Sequence, residues 1–440
     1  MLNKLERYLF YILLFSIPFQ TRKILYFAGW RFNEWQSVSV YLTDVIFGLL
    51  VLFWIYNACF LSAPKLKSKN EKLKITIQNL KVYESFLFIF LIFSAISIKN
   101  SSNLIVSFYQ FAKLAEFVLF FFYLKNYAIY KFGFTNSLFA IFSGGIFQAV
   151  IAIVQFFRQS DIGLSYLGES FFNLDVKGVA AFYNFYGEKI IRAYGTTPHP
   201  NVLSAYLFVA VFCFYFIWFY KRSDNNRFFI WGYFIILWGL LLTFSRVAIF
   251  LLGFNYLARG GLLIFKFKKF NKKIFWQLIG YTTILTIFFL VLYWPETISR
   301  VHISGEEDAV QLRSFYNKES LKIISWTGTG IGDFVNELEV RVPMLASYLY
   351  QPVHNIYLLI YAETGILGIS AFLLFLFFLV KDFIDRTKLE RIHHYSLFLL
   401  FGSTLFMGLF DHFLWTLQQG RFLFWLVLAT LAINEKEDIG

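Results

Sequence analysis

Three short polar segments interrupt an otherwise strongly apolar chain, and their residue types could bind an anion and move a proton. The segments are 192–201 (RAYGTTPHPN), 243–246 (TFSR) and 354–368 (HNIYLLIYAETGILG). The guanidinium groups of Arg192 and Arg246 can bind phosphate oxygens in a bidentate manner. His354 has an ordinary pKa of about 6.5 and can act as a general base near neutral pH. Together these residues predict a site that binds a lipid diphosphate and deprotonates an incoming hydroxyl.

Each segment alone also has a simpler explanation. A boundary arginine such as Arg192 commonly extends its side chain to a membrane interface. Arg246 lies between TFS and the apolar VAIFLL without an acidic neighbour in sequence, so it requires an anion or another polar partner. His354 and Asn355 could be a pair that begins and caps a helix.

The composition determines the class of protein in which such a site must be built. Of the 440 residues, 58% are hydrophobic, 22% aromatic and 15% charged, whereas soluble domains carry about 25% charged residues. A water-soluble fold cannot hide so much apolar surface, so part of it must face lipid. The composition excludes a soluble enzyme, a disordered chain and, despite the net charge of +13, a nucleic-acid-binding domain. Cys59 and Cys213 lie in apolar runs and suit neither a disulfide framework nor a metal site.

Apolar runs of helix length recur along the chain and are separated by polar segments. They predict an all-α, polytopic membrane bundle of about twelve transmembrane helices, which forms a single integral membrane domain over residues 1–440. The predicted spans are 5–19, 38–61, 82–98, 104–124, 134–157, 201–220, 228–243, 247–265, 274–293, 355–380, 395–411 and 421–433.

Lysine and arginine residues predict the orientation of this bundle. The strongly basic connections all fall on one side, which should be cytoplasmic: 65–74, 221–227, 266–273 and 381–391. The outer loops are then 158–200 and 294–353, the second being the large loop between spans nine and ten. All three polar segments lie on the outer face at similar depth, and this coincidence favours a common site over three separate structural roles.

The large outer loop is expected to contain an amphipathic helix that lies across the outer mouth of the bundle. Ser304 and Glu307 are spaced as a capping box at its start. The apolar positions of this helix are Val310, Leu312, Phe315, Leu321 and Ile324.

The motifs resemble those of the O-antigen ligase and O-antigen polymerase superfamily of bacterial envelope glycosyltransferases. His354-Asn355, nine residues and then Gly365-x-x-Gly368 is similar to the family's histidine motif. RxxGTxxHPN and TFSR, each with its arginine, resemble the segments before and within the central spans. WTGTGIGDF (326–334) is similar to the glycine-rich stretch of the large outer loop. The resemblance covers about residues 190–370, and the first five spans match only in being hydrophobic.

The resemblance implies an inverting glycosyltransferase that needs neither a metal nor another cofactor. The donor would be a glycan on undecaprenyl diphosphate, and the acceptor would be a lipid, glycan or protein hydroxyl. Arg192 and Arg246 would bind the donor diphosphate, and His354 would activate the acceptor hydroxyl. The enzyme would lie among the lipids of the bacterial cytoplasmic membrane, with its active site facing the periplasm or cell exterior. Further candidate substrate contacts are Asn355, His199, Asn201, Arg313 and Arg300.

Several alternatives remain at this stage. The sequence does not separate a ligase from a polymerase or from a protein O-oligosaccharyltransferase. A transporter or flippase of lipid-linked sugars is disfavoured because no inverted repeat is apparent and the polar residues cluster at the outer edge. A structural assembly partner would have no reason to place two arginines and a histidine together. Gly365 and Gly368 are expected to permit close helix packing, and the hairpin with Asp411 and His412 is either a sugar contact or a simple turn.

Overall fold

The computed structural model describes residues 2–28, 32–60, 80–220, 227–267, 272–301, 308–323 and 325–433. The protein is mostly helical (73%) with little sheet. The described helices are α1 (Leu2–Ser16), α2 (Leu42–Phe60), α3 (Val82–Ser97), α4 (Leu104–Tyr123), α5 (Ile129–Phe132), α6 (Phe134–Arg158), α7 (Pro200–Tyr220), α8 (Arg227–Leu242), α9 (Arg246–Phe265), α10 (Lys272–Leu292), α11 (Trp294–Val301), α12 (Asp308–Leu321), α13 (Phe334–Arg341), α14 (Ile356–Thr387), α15 (Ile392–Met407), α16 (Phe413–Thr416) and α17 (Gln418–Ala432).

Within the residues that the structure describes, eight stretches of helix are long and apolar enough to cross a membrane, which confirms a polytopic helical membrane protein. Shorter helices lie at the other predicted spans. The apolar stretches of α8 and α15 are Phe229–Leu242 and Ile392–Met407, and α1 and α17 have 15 residues each. A total of about twelve spans therefore stays a prediction. The eight stretches are Leu42–Cys59, Val82–Asn100, Leu104–Phe132, Phe134–Arg158, Pro200–Trp218, Arg246–Phe265, Phe275–Leu292 and Ile356–Thr387.

Helices α7 and α17 form the centre of the bundle. In α7, 89% of the apolar stretch Pro200–Trp218 is buried, and nearly every residue of α17 is buried. Both helices are apolar on all sides, as expected for helices enclosed by others. Their polar first turns, which carry Asn201 and Arg421, are therefore held in fixed positions at one end of the bundle.

Two antiparallel hairpins correct the expectation of an all-α fold. Strand β1 (Arg22–Phe27) pairs with β2 (Ser37–Tyr41), and β3 (Ala181–Tyr183) pairs with β4 (Lys189–Ile191). The predicted second span began at residue 38, but α2 begins only at Leu42. The segment SVSVY alternates serine and valine with a period of two, which is the pattern of a strand. A count of apolar residues alone does not detect that period.

The helix expected in the large outer loop is present as α12, but its buried face differs from the predicted one. Tyr316 and Ser320 are fully buried, whereas the predicted core position Leu321 is 56% exposed. Tyr316 also donates a hydrogen bond to the Leu349 carbonyl at 2.5 Å. Polar contacts therefore fix the orientation of α12 as much as apolar ones do. Ser304, Glu307 and Ile324, named in the sequence prediction, lie outside the described residues.

Helix α14 is broken at Gly365, where φ is 73°. The glycine-rich segment packs into the break: Thr329 N–H donates to the Ala362 carbonyl, and Ile366 N–H donates to the Ser325 carbonyl. A Cβ at Gly365 would overlap the backbone of Trp326 and Thr327. Gly365 therefore permits the close approach of a loop rather than of another helix. This loop forms hydrogen bonds with the backbone groups that the break leaves open. Gly368 is a different case, since a Cβ there would overlap the Thr364 side chain of the same helix.

Candidate functional site

His354 lies immediately before α14 and faces other aromatic rings. Its imidazole stacks on Tyr316 with ring centroids 5.9 Å apart and meets the edge of His412 at 4.8 Å. Its Nδ1 is buried and has no hydrogen bond of normal geometry within the described part of the chain. The ring is thus held by packing on two sides.

Asn201 connects two buried charged groups. Its Oδ1 accepts a hydrogen bond from Arg192 Nη2 at 2.6 Å, and its Nδ2 donates to Asp411 Oδ2 at 2.7 Å. The other carboxylate oxygen, Oδ1, accepts from the backbone N–H of His412 at 2.8 Å. This chain of contacts joins the loop before α7 to the segment between α15 and α16, and it fixes the backbone that carries His412.

Backbone carbonyl groups of the turn between α8 and α9 accept hydrogen bonds from arginine side chains. Arg192 Nε donates to the Thr243 carbonyl at 2.6 Å, and Arg300 Nη2 donates to the Phe244 carbonyl at 3.4 Å. Arg246, the first residue of α9, donates from Nε to the Arg300 carbonyl at 2.7 Å. Phe244 adopts φ of 46°, in the left-handed region that non-glycine residues rarely occupy. This strained turn brings three arginines to one place.

Arg313, on α12, is a fourth arginine of the site. It lies close enough to lower the pKa of His354 and of His412. No hydrogen bond or ion pair of the Arg313 guanidinium is found among the described residues. A half-buried cation without a protein partner, beside other cations, favours an anionic ligand. We call Arg192, Arg246, Arg300 and Arg313 the arginine group.

Burial and neighbouring charges determine the protonation states. Burial, together with Arg300, lowers the pKa of Arg192 to about 9, so its guanidinium stays charged at neutral pH. Burial lowers the pKa of His354; Asp411 opposes this effect and Arg313 reinforces it. Burial would raise the pKa of Asp411, but His412, His354 and the Asn201 hydrogen bond keep it below its usual range. At neutral pH the site therefore combines an ionised carboxylate, several cations and neutral imidazoles.

The structure brings most of the predicted site residues into one region and assigns new surroundings to some of them. His199 accepts a hydrogen bond at Nδ1 from Asn201 N–H at 3.1 Å, and burial together with Arg192 lowers its pKa to about 3. The side-chain oxygen of Asn355 caps α14 by accepting from the N–H groups of Tyr357 and Leu358 at 2.9 and 3.2 Å. Asn355 thus has the helix-capping role that the sequence offered as an alternative to a substrate contact. Among the described residues, no group of three or more His, Cys, Asp or Glu side chains is arranged to hold a metal ion.

The fold is thus that of a multi-pass helical membrane protein with a cationic, histidine-containing site at one end of its bundle. Residues 231–373 match the family described as O-antigen ligase, which confirms the resemblance to the O-antigen ligase and polymerase superfamily. The matched stretch contains Arg246, Arg300, Arg313 and His354. The family implies a glycosyltransferase-like ligase or polymerase activity that acts on lipid-linked glycans. No curated protein matches the chain in a search by sequence.

Substitution of Asn201 by leucine is expected to lower stability. The change removes two hydrogen bonds to buried charged groups, each of which contributes roughly 1.5–3 kcal/mol. We expect a lower midpoint of thermal unfolding in detergent, measured with a thiol-reactive dye. Asn136→Leu is the control, because Asn136 is exposed and makes a single hydrogen bond, at 3.3 Å. Equal midpoints for the two variants would contradict a stabilising role of the Arg192–Asn201–Asp411 chain.

Proposed function

We propose that the protein transfers a glycan from undecaprenyl diphosphate to an acceptor hydroxyl, with inversion at the anomeric carbon and without a metal ion. The observation that carries the proposal is the position of His354 beside the arginine group. A neutral imidazole and several guanidinium groups are the two components that this reaction requires. His354 and three of the four arginines lie within the stretch that matches the O-antigen ligase family.

In this reaction, the acceptor oxygen forms a bond to the anomeric carbon while the bond from that carbon to the diphosphate oxygen breaks. His354 takes the proton of the acceptor hydroxyl as a general base and later releases it to solvent. The diphosphate leaves with the electron pair of the broken bond, and the arginine group stabilises its charge. Because attack occurs opposite the leaving group, the anomeric configuration inverts.

The arginines have different roles in this proposal. Arg192 is only 8% exposed, and its Nε and Nη2 donate to Thr243 and Asn201. It therefore positions the site and offers mainly its remaining nitrogen, Nη1, to the donor. Arg313 makes no such contact with the part of the protein that the structure describes, so its whole guanidinium can bind diphosphate oxygens. Arg246 and Arg300, which are joined through the Arg300 carbonyl, form the wall next to the turn.

The proposed location is the bacterial cytoplasmic membrane, with the site facing the periplasm or the cell exterior. The outer loops 158–200 and 294–353 would then cover the site, and α12 would lie at its mouth. Membrane lipids surround the bundle, and the acceptor is a hydroxyl of a lipid, glycan or protein. A polymerase that joins repeat units would use the same donor chemistry with a different acceptor.

A reconstituted reaction tests the proposed function. Purified protein in proteoliposomes is given an undecaprenyl-diphosphate oligosaccharide and a candidate acceptor, and the products are separated by electrophoresis and mass spectrometry. We expect a covalent product that also forms in EDTA and whose new linkage has the inverted anomeric configuration by NMR. A ladder of lengths indicates a polymerase, and one addition to a lipid or protein indicates a ligase. Movement of the donor across the bilayer without any product would instead indicate a flippase.

A further inference from the structure

A cavity that is partly open to solvent lies next to His412. Two of its lining residues contact that histidine: the Trp35 ring meets it edge-on at 4.8 Å, and the Thr416 hydroxyl lies 2.7 Å from its Nδ1. Pro352, two residues before His354, lines the same cavity. None of its described lining residues belongs to the arginine group. We call this cavity the chamber.

The walls of the chamber combine aromatic rings with planar polar groups. Trp35 and Trp415 supply aromatic surface, while Gln110, Glu363 and Arg421 supply hydrogen-bonding groups. Aromatic rings pack against the C–H faces of sugar rings, and amide, carboxylate and guanidinium groups bind the hydroxyls. An apolar platform with a few fixed polar groups is the usual composition of a small-molecule site.

Two oppositely charged side chains line the chamber without forming an ion pair. Glu363 is 4% exposed and accepts a hydrogen bond from Trp415 Nε1 at 3.1 Å. Arg421 donates from Nε to the Trp415 carbonyl and from Nη2 to Gln110. No ion pair joins Glu363 and Arg421, although Glu363 is buried and Arg421 is half-buried. Each is hydrogen-bonded to the protein, and a ligand with several hydroxyls that bridges the two groups would add further hydrogen bonds to both.

A second, polar cavity continues from the chamber. It shares Trp35, Gln110, Thr416 and Arg421 with the chamber. Its other charged lining residues, Arg22 and Glu34, form an ion pair at 2.7 Å. Acidic and basic side chains thus both line the two cavities, whereas the arginine group is basic only. A neutral polyhydroxyl ligand fits this mixed lining better than a diphosphate does.

We propose that the chamber binds the sugar of the acceptor and directs one of its hydroxyls toward His354; this inference rests on the proposed function. The two histidines separate two chemically different regions. Arg313 lowers the pKa of His354, whereas Arg421 donates to the Trp415 carbonyl and to Gln110 in the wall of the chamber. The diphosphate of the donor belongs to the arginine side, which leaves the chamber to the acceptor glycan.

Kinetic measurements with Glu363→Gln and Gln110→Ala test this inference. Loss of one hydrogen bond to a charged group lowers affinity by about ten- to a hundredfold, so each variant should raise KM for the acceptor by that factor. KM for the donor should stay unchanged. The matched control is Glu188→Gln, because Glu188 is exposed in the β3–β4 hairpin. Wild-type acceptor KM in both chamber variants, or a raised donor KM alone, would overturn the inference.

Binding without catalysis separates this inference from the proposed function. The probes are the delipidated core oligosaccharide of a rough lipopolysaccharide and the lipid-free repeat unit, observed by saturation-transfer difference NMR. At least one probe should bind wild-type protein and His354→Ala equally, should bind Glu363→Gln at least tenfold more weakly, and should not be displaced by inorganic pyrophosphate. Displacement by pyrophosphate, or no binding of either sugar, would contradict a sugar-binding chamber. Sugar binding without any transfer would support the chamber and contradict only the proposed function.

Discussion

Replacement of His354 by alanine is expected to lower the rate of glycan transfer by about 10²–10⁴-fold, the usual contribution of a general base. The imidazole is neutral at pH 7, since burial lowers its pKa, so the wild-type protein has the base in its active form. The variant keeps Tyr316 and His412, which pack on the ring, and keeps Asn355 as the cap of α14. Donor binding should therefore persist, and the loss should appear in kcat rather than in the donor KM.

A second histidine substitution controls for the loss of packing. His393 is 2% exposed and lies in the first turn of α15, beyond the far end of α14. His393→Ala removes a buried imidazole of the same size, so it should affect thermal stability without affecting transfer. Transfer rates are measured in proteoliposomes at saturating donor and acceptor. If His354→Ala retained transfer within about threefold of His393→Ala, His354 could not be the base.

The positions of the long helices could be predicted because their signal is local. The predicted spans 201–220 and 247–265 differ by one residue from α7 and α9, as Pro200–Tyr220 and Arg246–Phe265. A continuous apolar run reports helix length directly, since each residue adds a fixed rise along the axis. The strand β2 could have been found from the alternation in SVSVY, but its hydrophobic residues were counted as part of a span.

The interior of the site could not be predicted in the same way, because its contacts join distant parts of the chain. Asn201 bonds to Asp411 across 210 positions, and Arg192 bonds to Thr243 across 51. No local periodicity carries such information. The break in α14 is similar: Gly365 was interpreted as a helix-packing residue, and only the loop packed against it explains its positive φ.

The chamber had one signal that sequence reasoning could have used. Glu363 lies within the apolar first part of α14, two residues before the break at Gly365, and an ionisable residue inside a membrane segment favours a functional site. Its partners could not be inferred, because Trp35, Gln110 and Trp415 come from three different elements. His412 was interpreted as part of either a sugar contact or a simple turn, and the structure places its ring 4.8 Å from that of His354. Residue type thus indicated candidates, and tertiary packing decided which of them meet.

Substitution of Arg313 by glutamine should separate donor binding from folding more cleanly than any other change in the arginine group. Arg192, Arg246 and Arg300 all bond to protein carbonyls, so their loss disturbs the turn between α8 and α9. Arg313 has no such contact among the described residues. Loss of a guanidinium–phosphate contact, at roughly 1.5–3 kcal/mol, should raise the donor KM by about ten- to a hundredfold. The matched control is Arg341→Gln on α13, whose arginine forms an exposed pair with Glu337.

The same substitution should change the pH dependence, because Arg313 also lowers the pKa of His354. The base is active only when neutral, so wild-type transfer should stay constant from pH 8 to about 6.5 and fall at lower pH, as the imidazole takes up a proton. Without Arg313, the pKa of His354 rises, and the acidic limb of kcat/KM should move to higher pH. A raised donor KM with an unshifted limb would place Arg313 at the donor but away from the base. The Arg341→Gln control should show an unchanged donor KM and an unshifted acidic limb of the pH profile. The same result for Arg313→Gln would exclude Arg313 from the site. Binding of the diphosphate would then depend on the arginines held by the α8–α9 turn.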